Sequence, residues 1–226
     1  MVALTKSEMM NCLGAEPGTG VSVLDREGVV HYVNDETLRI FLEGRFTREQ
    51  IVGKSLAEIG FPDAWVKERV EILSRICREG EEYLLRTIWN GRQQFSWFRR
   101  LESEDGECRV LVITRRVSAG AEAEHLRSSD VMFVDSKVTQ LGKLDVLSRR
   151  ELEILALIGQ GMSIKEIAEL IHRSTKTVEN HRISLGQKLK MSNRVQLATI
   201  AHEAGLKIDD SALTRVDPVT DPVAKN

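Results

Sequence analysis

The stretch LSRRELEILALIGQGMSIKEIAELIHRSTKTVENHRISLGQKLKMSNRVQLATIAHEAGL, residues 147–206, decides how this chain is read. Three helix starts come in quick succession. Ser148-Arg-Arg-Glu151 and Ser163-Ile-Lys-Glu166 have capping-box form: the serine accepts from the amide three residues on, and the glutamate there reaches back. Ser174 or Thr175 caps a third helix, KTVENHRISLGQKL. Gly161 supplies the stop for a tight reversal after the first helix. Only a few residues around Arg173 separate the second helix from the third. Two short helices joined that tightly must cross steeply, which is helix-turn-helix geometry. Apolar residues keep helical period: Leu152, Leu155 and Ala156, then Ile164, Ile167, Ala168 and Ile171, then Val178, Leu185 and Leu189. Val195, Ala198, Ala201 and Leu206 continue the pattern in a fourth helix.

The outward face of the third helix carries Lys176, Glu179, Asn180 and Ile183. That mix suits base edges in a major groove: Asn pairs with adenine, Glu accepts from cytosine, and Ile meets a thymine methyl. Lys165, Thr177, Arg182 and Lys188 are placed to reach phosphates, and the helix start at Ser174 adds backbone donors.

Along its whole length this stretch resembles the LuxR-type (NarL/FixJ-like) DNA-binding domain. Leu147, Glu151, Gly161, Ile167, Ala168, Thr177, Val178, Leu189, Asn193 and Arg194 are among the matching positions. The resemblance implies binding of double-stranded DNA as a homodimer, with Val195, Ala198 and His202 of the fourth helix at the dimer seam. It also implies regulation of transcription in a bacterial cytoplasm. Glu179 departs from the pattern, standing where many members carry Lys, and an acid there weakens adhesion to phosphates. His181 reads as a packed or capping histidine, and Glu151 and Glu166 as capping residues, not catalytic acids.

Charge fits this division. The 226 residues carry a net −2, yet residues 141–206 hold 10 Lys and Arg against 7 Asp and Glu. Residues 1–140 hold 19 against 23. The positive excess is small, so affinity is expected to depend on pairing of two chains as well as on phosphate contacts.

Upstream, VSVLD (21–25) and VVHYV (29–33) are β-branched runs joined through Gly28. Asn34 and Asp35 start a helix, Thr47-Arg-Glu-Gln50 starts another, and Pro62 opens a longer one with Trp65, Val66, Val70, Leu73 and Cys77 at helical spacing. Strands at 82–89, 93–101 and 108–117 follow, with hairpin signals at Asn90-Gly91 and Asp105-Gly106. This order, with VLDREGVVHYVNDETLRIF and IVGKSLAEI, resembles the PAS domain family over residues 12–117, through Asp25, Gly28, Asn34, Gly53 and the Asn90-Gly91 hairpin. The resemblance implies a five-stranded antiparallel sheet wrapped by helices, often around a ligand cavity.

The bland readings prevail in this region. Trp65, Trp89, Trp97 and Phe98 are read first as core and second as cavity wall, and His31 as a strand residue in preference to a haem ligand. Cys77 lies in the long helix, which argues against a flavin adduct, so neither haem nor flavin is expected. Gly53-Lys54-Ser55 resembles the end of a phosphate loop, but Arg48 occupies the position of its first glycine. Cys12, Cys77 and Cys108 show no metal or redox spacing and read as reduced thiols. No catalytic constellation emerges, so an enzyme is not expected. No signal peptide and no membrane-spanning run is read.

The expected architecture is therefore an α+β PAS-like domain (12–117), a partly helical connector (118–146), an all-α four-helix DNA-binding domain (147–206) and a tail (207–226) disordered over its last ten residues. The expected function is a sequence-specific transcriptional regulator whose DNA binding is modulated by the PAS-like domain. A PAS region that only dimerises or docks a protein, without a small molecule, is the alternative, and a haem or gas sensor a weaker one.

Overall fold

The computed structural model describes residues 17–101, 106–120 and 131–220. Strands β1 (Thr19–Asp25) and β2 (Val30–Val33) form the first hairpin, with Gly28 at φ 84° in its turn. Helix α1 (Asp35–Leu42) follows at once. Its N-cap, Asn34, is buried and does two jobs. Its Oδ1 accepts from Thr37 N and from Val21 N, and its Nδ2 donates to Thr19 O, stitching the helix start to β1.

Two single-turn helices, α2 (Arg48–Ile51) and α3 (Leu56–Ile59), lead to the long α4 (Asp63–Glu79). Gly53-Lys54-Ser55 serves only this path: Lys54 O accepts from Val30 N, and Ser55 caps α3. Strands β3 (Tyr83–Trp89), β4 (Arg92–Leu101) and β5 (Arg109–Arg116) complete the antiparallel order β2-β1-β5-β4-β3.

The sheet has six strands, not the five expected. Strand β6 (Met132–Asp135) pairs in parallel with β3. It arises within the stretch read as a partly helical connector. Its four residues show no alternation, but the free edge of β3 offers a row of backbone groups that a short strand can satisfy.

The chain then forms β7 (Val138–Thr139), a 3₁₀ turn (Gly142–Leu144) and the four helices α5 (Arg149–Gly159), α6 (Ile164–Leu170), α7 (Thr175–Leu189) and α8 (Arg194–Glu203). Leu152, Leu155, Ile167, Val178, Leu185 and Leu197 fill the module's core. Val195, expected inside, is 73% exposed; Leu197 and Ala201 take the inward face of α8. Ile88 of β3 belongs to this same core, so the module packs directly on the sheet.

That docking is polar as well. Arg86 of β3 is 1% exposed. Its guanidinium reaches Asp210 (2.7 and 2.9 Å), Gly205 O (2.6 Å), Asp135 (3.1 Å) and Gln93 Oε1 (2.6 Å). Gly205, at φ 56°, allows this approach, since a Cβ there would lie 2.3 Å from Gln93.

The tail also departs from expectation. After a 3₁₀ turn (Ile208–Ala212), strand β8 (Thr214–Arg215) pairs in parallel with β7, and Val219 is buried in the core of the N-terminal domain. Residues 221–226, the rest of the segment expected to be disordered, lie outside the described residues. The thiols are not reduced as expected: Cys77 at the end of α4 and Cys108 before β5 form a disulfide, with Cα atoms 5.8 Å apart. Spacing of 31 residues carries no redox signature; only the fold brings helix end and strand start together. Cys12 lies outside the described residues.

Candidate nucleic-acid interface and ligand cavity

Helix α7 is set on its neighbours by one buried carboxylate. Glu151 of α5, in the capping box with Ser148, accepts from Ser148 N, from Ser184 Oγ and from Lys188 Nζ, all at 2.7 Å. Burial acts to raise its pKa, but the hydrogen bonds from Lys188 and Ser184 outweigh it and hold the group at about 2. At the far end, Arg194 donates to Gly161 O (3.0 Å) and Met162 O, fixing the α5–α6 turn against α8.

The α6–α7 turn passes through His172 in the left-handed region, φ 53°. Ser174 then caps α7: its Oγ accepts from Thr177 N at 3.1 Å and lies 2.8 Å from Thr177 Oγ1.

The residues read as base-facing sit on one exposed stripe. Lys176, Asn180 and Ile183 are exposed, Ile183 by 45%, and Glu179 is half-buried. Arg182, read as a phosphate contact, donates to Glu179 Oε1 at 2.6 and 2.9 Å. Glu179 is therefore neutralised along its own helix, and Lys188 is committed to Glu151. Among the expected phosphate contacts, Lys165 is exposed at the start of α6, and Ser174 and Thr177 surround the N-terminus of α7. On α8, Val195 and His202 are exposed and Ala198 half-buried. Val195 borders a groove shared with Val146, Met191 and Ile200.

The N-terminal domain encloses an apolar cavity of about 70 Å³ between the sheet and α1–α4. Of the aromatics singled out, Trp65 and Phe98 line it, and Trp89 stands behind Phe41 in an aromatic box. Phe61 stacks on Trp65 at 4.3 Å, and Trp89 lies 5.4 Å from Trp65. Trp97 belongs to the other face of the sheet, with Val131 and Phe133. His31 lies away from the cavity, its Nε2 3.0 Å from Asp25.

Polar groups interrupt the apolar wall. Ser96 and Thr114 pair at 2.8 Å. Arg69 is 5% exposed, 4.6 Å over the Trp65 ring, and donates to Thr87 and Glu68. Trp65 Nε1 and the Gln94 amide are buried with no partner among the described residues. Arg69 went unread in the sequence because a charged residue in an amphipathic helix passes for surface. Its place four residues after Trp65 and four before Leu73 was the available signal.

Residues 145–201 match the family model described as bacterial regulatory proteins, luxR family. The oxygen regulatory protein NreC of Staphylococcus haemolyticus is 31% identical over 138 residues, 58% of this chain and 61% of NreC. The transcriptional regulatory protein LiaR of Bacillus subtilis is 30% identical over 145 residues, 59% of this chain and 68% of LiaR. Among solved structures, VqmA of Vibrio cholerae in a ligand–DNA complex superposes with a TM-score of 0.50 at 20% identity. That likeness covers 96% of this chain and 92% of VqmA, and it shows a shared fold. No helix among the described residues is long and apolar enough to cross a membrane.

Proposed function

From the premise that this chain belongs to the luxR family of bacterial regulatory proteins, we propose that it is a cytoplasmic, homodimeric, one-component transcriptional regulator. In this reading α7 enters the major groove of double-stranded DNA, and the cavity of the PAS-like domain sets the regulator's activity. The observation that carries it is the exposed stripe Lys176–Asn180–Ile183 on a helix locked from behind by Glu151. Lys176, Asn180 and Ile183 read bases, while Glu179 acts as the partner that holds Arg182 near the backbone. Lys165, Ser174 and Thr177 face phosphates. Lys188 serves α7 through Glu151 and contributes to DNA only through its field. Two chains pair in part through the Val195 face of α8, where Val195 and Val146 remain exposed.

Selection of duplexes from a random pool by the full chain tests the DNA reading. Two related half-sites about one helical turn apart are expected; a pool without an enriched motif overturns it.

The cavity fits a small, mostly apolar molecule with a few hydrogen-bonding groups, because its wall carries Ser96, Arg69 and Trp65, whose Nε1 is buried without a partner among the described residues. Its small volume favours a second reading, a domain that only docks or dimerises. Mass spectrometry of material released on denaturing the purified protein separates the two.

A further inference from the structure

The tail beyond the DNA-binding module returns to the sensor domain. Thr214 N donates to Lys137 O (3.1 Å), Val216 N to Thr139 O (2.9 Å), and Thr220 N to Gly60 O (3.2 Å). Arg45 Nη2 donates to Val219 O at 3.3 Å. Val219 is 3% exposed, and with Val216 it packs into the same core as the aromatic box. Phe41 belongs to both sides: it lines the cavity, and with Trp89 it forms one wall of a groove whose other wall includes Val216, Pro218 and Val219. Gly60 makes the close approach possible. It sits at φ 96°, and a Cβ there would fall 2.1 Å from Thr220 O.

A second path joins cavity and tail. Glu68 takes the Arg69 guanidinium on one side, and on the other Ser136 Oγ and Lys137 N, each at 2.6 Å. Lys137 in turn accepts from Thr214 of the tail. The chain entering the module and the chain leaving it are thus joined to each other by β7–β8; the first reaches the cavity wall through Glu68 and Arg69, and the second shares a core with the wall residue Phe41.

We infer that residues 213–220 are a latch through which the state of the cavity sets how firmly the DNA-binding module is held on the sensor domain. The inference rests on the reading that the cavity modulates DNA binding. The latch is suited to switching because its attachment is small. The short β7–β8 pairing, single hydrogen bonds at Val219 and Thr220, the Arg215 contact to Asp145 at 3.0 Å and two valines are few enough for a differential affinity at the cavity to shift the attached and released populations. The DNA-reading stripe is open in the attached form, so the latch governs the placement of the module and leaves the reading helix itself uncovered. Glu68 acts as a positioning residue between Arg69 and the tail.

A double-mutant cycle in the full chain tests this. Val112→Leu fills the cavity; Val33→Ile is the second filler if the first fails to fold. Val219→Ser loosens the latch, and a chain ending at Asp217 removes its anchor. Affinity is read on the duplex recovered by selection, and hydrogen exchange on the amides of Thr214, Val216 and Thr220. The filler is expected to change affinity about fivefold or more and to speed or slow exchange at those amides when the latch is intact. With Val219→Ser or the shortened chain, the same filler is expected to change affinity by less than about twofold. A filler that acts equally in both backgrounds overturns the latch and leaves the sensor reading standing. A filler without effect on affinity or exchange in either background overturns the sensor reading and the latch with it.

Discussion

Glu151 does more than cap a helix, and its surroundings fix what pH does to the module. Its folded pKa of about 2 lies below the ordinary carboxylate value of 4.5. A carboxyl held low in the folded state adds stability that is fully present above the unfolded value. That stability is lost as pH falls from about 4.5 toward 2. The shift corresponds to about 3 kcal/mol for this buried group. Urea unfolding at pH 7 and pH 2.5 should therefore show a loss that Glu151→Gln lacks. The same contact predicts that Lys188→Ala lowers stability, because it strips a buried carboxylate of its cation, whereas Lys176→Ala leaves stability unchanged. On DNA the outcomes separate again. Lys165→Ala should reduce the slope of log affinity against log salt by about one, and Asn180→Ala should cost about 1–3 kcal/mol at one base position. Binding assays across salt concentrations and across single-base operator variants check both. If Asn180→Ala keeps full selectivity, Asn180 is not a base reader.

At the scale of elements, the disulfide ties the end of α4 to the start of β5, the two elements that flank the cavity from opposite layers. Closing a loop of this length restricts the unfolded chain, and the expected contribution is about 3–4 kcal/mol. Cys108→Ser, or reductant added to the native protein, should lower the urea midpoint by the corresponding amount, with thiol counting to confirm the state of the bond. An unchanged midpoint on reduction would show that the two elements are held by packing alone. Helix starts were the most legible elements. The capping boxes at Ser148 and Ser163 form as their spacing indicates, because such a box needs only residues three apart. Strand β6 was not legible, since its pairing is parallel to β3 and depends on an edge that exists only once the sheet is built.

For the whole molecule, the relation between its two halves turns on Arg86. Removing one partner of a buried ion pair leaves the other charged and dry, which costs about 3–5 kcal/mol. Arg86→Ala should therefore separate a single cooperative melting transition into two, one for each half. The double change Arg86→Met with Asp210→Leu should restore much of the joint transition. Calorimetry decides this, and a single unaltered transition for Arg86→Ala would mean that the apolar contact through Ile88 suffices.

The sequence by itself determined the helix-turn-helix module, the exposed stripe on α7 and the PAS-like order of strands and helices. All of these are written in local signals: caps three residues apart, apolar residues at helical period, and turn residues between strands. Only the tertiary structure decided what depends on distant residues meeting. It paired Lys188 with Glu151, joined Cys77 to Cys108, and buried Arg69 beside the cavity. It also turned an acidic tail into a strap held in the core of the N-terminal domain by Val219. The physical reason is the same in each case. Each of these side chains is placed by a contact, whether ion pair, disulfide or apolar packing, with residues far away in the chain.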